Sequence, residues 1–514
     1  MKIRLQKIDV EAQLNSTILA GLDLFRVMSI GTITNYFPFL EEETVDVLKD
    51  VMGQASSYYD FVIRLGQKIC EEDVSLNLAY VAASHVFRAR ETILQEKIRK
   101  KFIEHPQIII WTYPLRGQTD KTIYRDEINK SMNLIKEMDI PDWMLTELLY
   151  NLAFWLRNPS EIAEPLCKME EIFAASPENL AAFKHFLYDL RAGLHESEGD
   201  TVNSILVRQK ALEIAREASD EFMIMDITSN LGYQLRNHNV EAASQYVEEF
   251  NQLSMELNLP WQMTLARHYM GLIHLVRGEY DLAIECQFAA CEVYYQETGP
   301  SSTLCGTLSY LYSDIEDGKQ ALHWANEGFR TTRGEGAPLL YATKARALIL
   351  LGRLEDAEEQ INYLHRMSLE SATEIHRWNY LYNRGLLELK SGEPHSALET
   401  IEQGILTIEP LNFQIAINRA LIALTKAEIQ LADESDDVDS SGPWMVRLES
   451  HARKKNYPGI QMHAALLRAE FFTKKKRKED AKEVLRNALE ILDSPTVKTL
   501  RSKIRKMLDD LVVA

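Results

Sequence analysis

The sequence predicts an all-α solenoid of antiparallel helix hairpins, and three observations predict it. First, Asn379–Pro410 reads as one complete hairpin, NYLYNRGLLELKSGEPHSALETIEQGILTIEP. Its apolar residues recur at three- and four-residue spacing, and a turn falls at Ser391-Gly392. Pro394 stands in the first turn of the second helix, where its missing N–H costs nothing. Second, Gly385 in the first helix is followed twelve positions later by Ala397 in the second. Third, the same pairing recurs: Gly271 with Ala283, Ser309 with Ala321, Ala345 with Ala357 and Ala469 with Ala481.

Two helices cross tightly only where short side chains meet, and a Leu at such a crossing would overpack it by about 1–3 kcal/mol. Gly inside a helix costs about 1 kcal/mol relative to Ala, so Gly385 and Gly271 need a packing reason. A further small residue lies seven positions along four of the second helices: Ala290, Gly328, Gly404 and Ala488. The first-helix positions 271, 309, 345, 385, 427 and 469 are spaced by 38, 36, 40, 42 and 42 residues. Leu231-Gly232, Ala192 and Ala153 extend the interval upstream. A period near 40 is the signature of stacked repeats, each packing on its neighbours.

Taken in order, residues 1–118 do not phase onto the repeat but read as helical, and an N-terminal cap or a separate small helical domain is expected there. Glu41–Ala55, Tyr58–Cys70, Leu76–Phe87 and Arg90–Phe102 carry helical spacing. Ile108-Ile109-Ile110-Trp111 is the one strand-like run, and it is too short for a sheet; a buried connector is expected. Residues 119–514 are expected to form the solenoid. Its helices include Lys121–Met138, Trp143–Leu156, Glu161–Phe173, Leu180–Leu194 and Val202–Ala218. Then follow the hairpins with small residues at 232, 271, 309, 345 and 385. Turns are expected at Gly278-Glu279-Tyr280, Gly318, Gly352 and Gly392. An acidic insertion interrupts the array at 433–443. A hairpin at Gln461–Leu492 and a capping helix at Val497–Leu511 end it.

This pattern resembles the tetratricopeptide repeat family through Gly271/Ala283/Ala290, Ala345/Ala357, Gly385/Ala397/Gly404/Pro410 and Ala469/Ala481/Ala488/Pro495. The long unit is closer to the MalT-type helical-repeat region, although the family's first-helix Trp is absent. The resemblance implies a right-handed superhelix whose first helices line a concave groove. Carried over position by position, that lining is Tyr233, Arg236, Asn237, His268, Leu272, Tyr310, Arg346, Asn379, Tyr382 and Lys390. Such residues suit a protein or peptide partner. The clamp for acidic chaperone tails does not transfer, because the position that needs Asn holds Tyr233, Leu272, Tyr310, Arg346, Leu386, Glu428 and Glu470.

Composition sets the outer bounds. Apolar residues make up 46% and charged residues 26% of the chain, as in folded soluble proteins. The formal charge of −19 disfavours nucleic acid and anionic membranes as partners. The five cysteines show no CxxC pair, so a reducing, cytoplasmic setting is expected. No run approaches the length of a membrane span, and MKIRLQKIDVEAQ lacks a signal-peptide core.

Candidate chemistry is thin. The 433–439 run spaces its acids like a calcium loop, but Val438 replaces the required Gly and Trp444 the required Glu. Asp317-Gly318-Lys319-Gln320 lacks the rest of a phosphate loop. Lys474-Lys475-Lys476-Arg477-Lys478 is basic but sits in an expected turn. His268 and His274 do not share a helix face. HExxH, GxSxG and GxGxxG are all missing. The expectation is a non-catalytic binding scaffold without cofactor or metal. The alternative is a regulatory sensor that binds an effector and relays it to a separate output protein.

Overall fold

The computed structural model describes residues 30–112, 130, 133–135, 138–155, 159–297, 301–331, 338–370, 374–432, 442–491 and 497–513. Among the described residues every regular element is a helix. Residues 121–129 of the first expected repeat helix, most of the acidic insertion (433–441) and Pro495 lie outside them. The chain packs as two compact units. One is Met1–Gln234 with Gln245–Ala266, and the other is Leu235–Ser244 with Arg267–Ala514. The change of pattern expected at 118 falls within 113–129, also outside the described residues.

The first unit contains α1 (Ile30–Thr34), α2 (Glu42–Gln54), α3 (Tyr58–Glu71), α4 (Leu76–Arg88), α5 (Thr92–Lys101) and α6 (Pro106–Ile109). It continues with α7 (Asp142–Trp155), α8 (Pro159–Ala175), α9 (Lys184–Ser197) and α10 (Thr201–Glu217). Local chemistry fixes several starts. Ser57 Oγ accepts from Asp60 N, Ser75 Oγ from Leu78 N, and Asp200 from Asn203 N, each occupying an otherwise orphaned helix donor. Helix α4 is buried continuously from Leu78 to Arg88, so it forms the centre of this unit. The strand-like run at 108–111 is helical and buried, as suits a connector.

Helices α11 (Glu221–Leu235), α12 (Val240–Glu256) and α13 (Pro260–Arg277) carry residues of both units. The second unit proceeds through α14 (Tyr280–Glu297), α15 (Ser302–Asp314), α16 (Gly318–Thr331), α17 (Pro338–Leu350), α18 (Leu354–Glu370) and α19 (Glu374–Lys390). It ends with α20 (Pro394–Ile408), α21 (Gln414–Leu431), α22 (Pro443–Lys455), α23 (Pro458–Lys474), α24 (Lys478–Ile491) and α25 (Lys498–Val513). In the second unit α15 pairs with α16, α17 with α18 and α19 with α20, and α15 also touches α17 and α17 touches α19. The arrangement is a tandem array of hairpins.

Short residues occupy the crossings. Ala283, Ala321, Ala345, Ala357, Ala397, Ala469 and Ala481 are fully buried. A Cβ on Gly385 would lie 2.3 Å from Ile401 Cγ1, and one on Gly271 would lie 2.3 Å from Gln287 Nε2. Ser309 serves the same purpose with a hydroxyl, donating to the carbonyl of Ala321 at 2.8 Å. Gly328 admits Leu340 from the adjoining hairpin, and Gly404 admits Trp378 from the first helix of its own.

The turns share one device. Gly199, Gly278, Glu316, Gly352, Gly392 and Lys476 all have positive φ, and each lies seven residues after a small first-helix residue (192, 271, 309, 345, 385 and 469). In each, the next N–H reaches back to close the helix; Glu279 N bonds His274 O and Arg353 N bonds Leu348 O, both at 2.9 Å. Gly318 was expected to make its turn, but Glu316 does so instead. Gly318 begins α16, where a Cβ would press on Leu350 at 3.0 Å. The basic run 474–478 is a turn of this kind, and Lys474 Nζ bonds the carbonyls of Ile429 and Gln430 at the end of α21.

Glycine substitutions distinguish crossing from bystander positions. Gly385→Ala should lower stability by about 1–3 kcal/mol through overpacking. Gly193→Ala, inside α9 with nothing within 4 Å of its Cβ, should raise it by up to about 1 kcal/mol. Denaturant melts of both variants check the pair, and equal shifts would refute the crossing argument.

Candidate functional site

Within the second unit the later hairpins return onto the earlier ones. Asn418 Nδ2 on α21 donates to Val276 O at the end of α13, at 3.0 Å. Gly278 and Gly459 meet backbone to backbone, so that a Cβ on Gly459 would fall 1.9 Å from Gly278 O. Asp281 on α14 caps the last helix, accepting from Thr499 N at 3.0 Å and Thr499 Oγ1 at 2.6 Å. Side chains of the first helices α15, α17, α19 and α21 meet on one face, around Asp314.

Asp314, at the end of α15, is the hub of that face. Arg346 Nη2 lies 2.5 Å from Asp314 Oδ1. Arg419 approaches with Nη2 at 2.7 Å from Oδ2 and Nε at 3.2 Å from Oδ1. Burial opposes ionisation of Asp314, but the two guanidiniums outweigh it and hold the carboxyl below its ordinary range. The Arg419 guanidinium sits 4.2 Å from the Tyr310 ring centroid, and that of Arg346 sits 5.6 Å from the Tyr382 ring. Tyr310 Oη donates to Asn379 Oδ1 at 3.3 Å. Trp378 stacks on Tyr382 with centroids 4.7 Å apart.

Four expected lining residues therefore converge: Tyr310, Arg346, Asn379 and Tyr382. Arg346, Asn379 and Tyr382 are buried there and Tyr310 is half-buried, because the returning helices cover this face. His268 on α13 does not join them: it is buried against α14 of its own hairpin, its Nδ1 2.6 Å from Gln287 Oε1 and its backbone carbonyl accepting from Gln287 Nε2. Leu272 is half-buried. Helix α11 ends at Leu235, so Arg236 and Asn237 lie in a turn, half-buried and buried respectively. Tyr233 is 39% exposed, and Lys390, at the end of α19, is exposed. Sequence reasoning missed Asp314 and Arg419. Asp314 occupies the thirteenth position of its repeat, one of the lining positions, and could have been read. Arg419 lies outside the lining positions of a repeat whose second helix is displaced.

The first unit holds a second buried polar group that no motif announces. Glu147 on α7 accepts from Tyr36 Oη at 2.6 Å, from Tyr80 Oη at 3.0 Å and from Arg88. Tyr58 Oη and His85 Nδ1 lie 2.6 Å apart. Burial, then Arg88, pushes His85 down to about 3. Glu221 Oε2 accepts from Thr32 N at 3.2 Å and Thr32 Oγ1 at 2.8 Å, and burial pushes its carboxyl up to about 7. These residues are scattered from 32 to 221, so only the fold brings them together. Among the described residues no cluster of three or more His, Cys, Asp or Glu side chains could hold a metal, and no helix is long and apolar enough to cross a membrane.

No family model matches the chain, and no curated protein matches it. Several solved structures are similar to it at low identity. A Signal Transduction ATPase with Numerous Domains protein of Pyrococcus horikoshii, with a tetratricopeptide repeat sensor, is 12% identical. That likeness covers 86% of this chain and 69% of the other, with a TM-score of 0.33. Yeast Tom70 is 10% identical over 97% of this chain and 96% of its own, with a TM-score of 0.31. The tetratricopeptide repeat domain of P58(IPK) is 13% identical over 72% and 98%, with a TM-score of 0.20. The hairpin geometry above, rather than these scores, carries the tetratricopeptide-like description, and the MalT-type subdivision has no counterpart among them.

His268 gives the hairpin of α13 and α14 a pH signature. Burial pushes its pKa from 6.5 down to about 4. Between those values the unfolded chain binds a proton that the folded chain does not, so stability falls as pH drops from 6.5 towards 4. The contribution is at most about 3 kcal/mol. His268→Gln should flatten that part of the stability curve, measured by denaturant melts at pH 7 and 4.5; an unchanged slope would remove His268 as a source.

Proposed function

We propose that the chain is a non-catalytic protein-interaction scaffold that engages a protein or peptide segment along the inner face of its repeats. The carrying observation is the register of the hairpins. Each first helix presents the same few positions, so that His268, Tyr310, Arg346, Asn379, Tyr382 and Lys390 follow one another on α13, α15, α17 and α19. Aromatic and arginine side chains supply anchor energy out of proportion to their number. Lys390 is the exposed member of this set, while the buried ones hold the frame. Tyr233 and the Arg236-Asn237 turn are the equivalent positions of the hairpin α11/α12. Binding deep in this face requires the covering helices to move, which favours a segment that enters from the rim.

Affinity capture with the full chain tests this reading. Tyr233→Ala and Lys390→Ala change exposed residues and should leave the fold intact, and each should cut recovery of a specific partner severalfold. Tyr310→Ala, checked for folding by circular dichroism, should do the same. Identical partners recovered in identical yield from all three variants would overturn the inner-face assignment.

A further inference from the structure

The inner face of the second unit carries more positive charge than it pairs. Asp314 is shared by Arg346 and Arg419, one carboxylate between two guanidiniums. Two residues on, Glu316 is likewise shared, by Lys426 Nζ at 2.7 Å and Lys503 Nζ at 2.8 Å. Glu470 adds one carboxyl near that lysine pair, pushed up by burial. The chain as a whole is strongly acidic at −19, so this cationic excess is a local arrangement rather than a consequence of composition.

Arg346 is paired with Asp314 through one nitrogen only. It is 9% exposed, and its Nη1 has no hydrogen-bond acceptor among the described residues. A buried charged donor left without an acceptor is costly, and an acceptor that also brings negative charge relieves both deficits at once. The setting is prepared. Tyr310 lies under Arg419 and Tyr382 beside Arg346, while Asp314 fixes one edge of each guanidinium. Planar guanidiniums held in this way suit the paired oxygens of a carboxylate or phosphate group.

We propose that this inner face binds an oxyanion between Arg346 and Arg419, with Arg346 Nη1 as a donor. The inference rests on reading the inner face as the binding surface, and names the chemistry of what binds there. The oxyanion comes either from a free small molecule or from an acidic side chain of a bound segment.

Calorimetric titration of the full chain at constant ionic strength tests it, with inorganic phosphate, citrate and a hexaglutamate peptide as probes. At least one probe should bind the wild type. Arg346→Gln should weaken that probe about tenfold or more. Arg346→Lys, which keeps the charge but loses Nη1, should weaken it as well. Lys344→Gln, on the same helix but outside the site, should leave it unchanged. Asp314→Asn frees both guanidiniums and should tighten binding; circular dichroism confirms that each variant is folded. Binding of phosphate or citrate assigns a free anion, whereas binding of hexaglutamate alone assigns an acidic segment. No binding by any probe, or equal binding by Arg346→Gln, overturns the proposal. Should titration fail while Tyr233→Ala or Lys390→Ala still reduces partner capture, the scaffold reading stands and only the oxyanion falls.

Discussion

At Gly385 the two helices of a hairpin approach so closely that a single added carbon would lie 2.3 Å from Ile401. That approach, repeated at 271, 309, 345 and 469 by Gly, Ser or Ala, is the constraint on which the array depends. Dispersion energy falls steeply with separation, so helices held apart by a larger side chain would lose much of their contact. The short residue also fixes the turn. Seven positions later, about two helical turns on, the backbone enters the left-handed region and the helix ends. Crossing and turn are thus coupled by helix geometry, and the second helix starts at a fixed distance from the contact it must make.

The same coupling explains why non-glycine residues are tolerated in two of these turns. An L-residue in the left-handed region costs roughly 1–2 kcal/mol. Glu316 accepts it where its carboxylate is held by Lys426 and Lys503, which outweigh burial and hold its carboxyl well below the usual range. Its ion pairs join α15 to α21 and α25, so a locally strained turn contributes a long-range tie. Lys476 occupies the equivalent turn of a later hairpin, next to Lys474, which caps α21. In both cases the charge at a turn serves packing between hairpins. That is the physical reason a basic run such as 474–478 need not signal a nucleic-acid partner.

The repeat was legible because its determinants are local. A small residue, a turn seven positions later and an Ala at twelve are all read within one short window. Of the residues expected along the first helices, Tyr310 meets Asn379 and Arg346 meets Tyr382, while Tyr233, His268 and Lys390 lie apart from them. The return of α21, α23 and α25 onto the earlier hairpins was not legible. It depends on pairs such as Asn418 with Val276 and Gly459 with Gly278, separated by 142 and 181 positions, for which no periodic signal exists. Glu147 with Tyr36, Tyr80 and Arg88 was hidden for the same reason. Buried ionic groups assembled from distant helices leave no spacing pattern in a sequence.

Closure of the inner face changes what its charges mean. On an open groove Arg346 would be hydrated and its second nitrogen of no consequence. Under the returning helices it loses most of its water, and the cost of an unbalanced guanidinium rises with that loss. Asp314 offsets one positive charge, and the rings of Tyr310 and Tyr382 offset part of the other through their π faces. The remainder is a standing preference for negative charge at one point of an otherwise acidic protein. A repeat array built from interchangeable hairpins acquires in this way a position unlike its neighbours, set by where the chain turns back on itself.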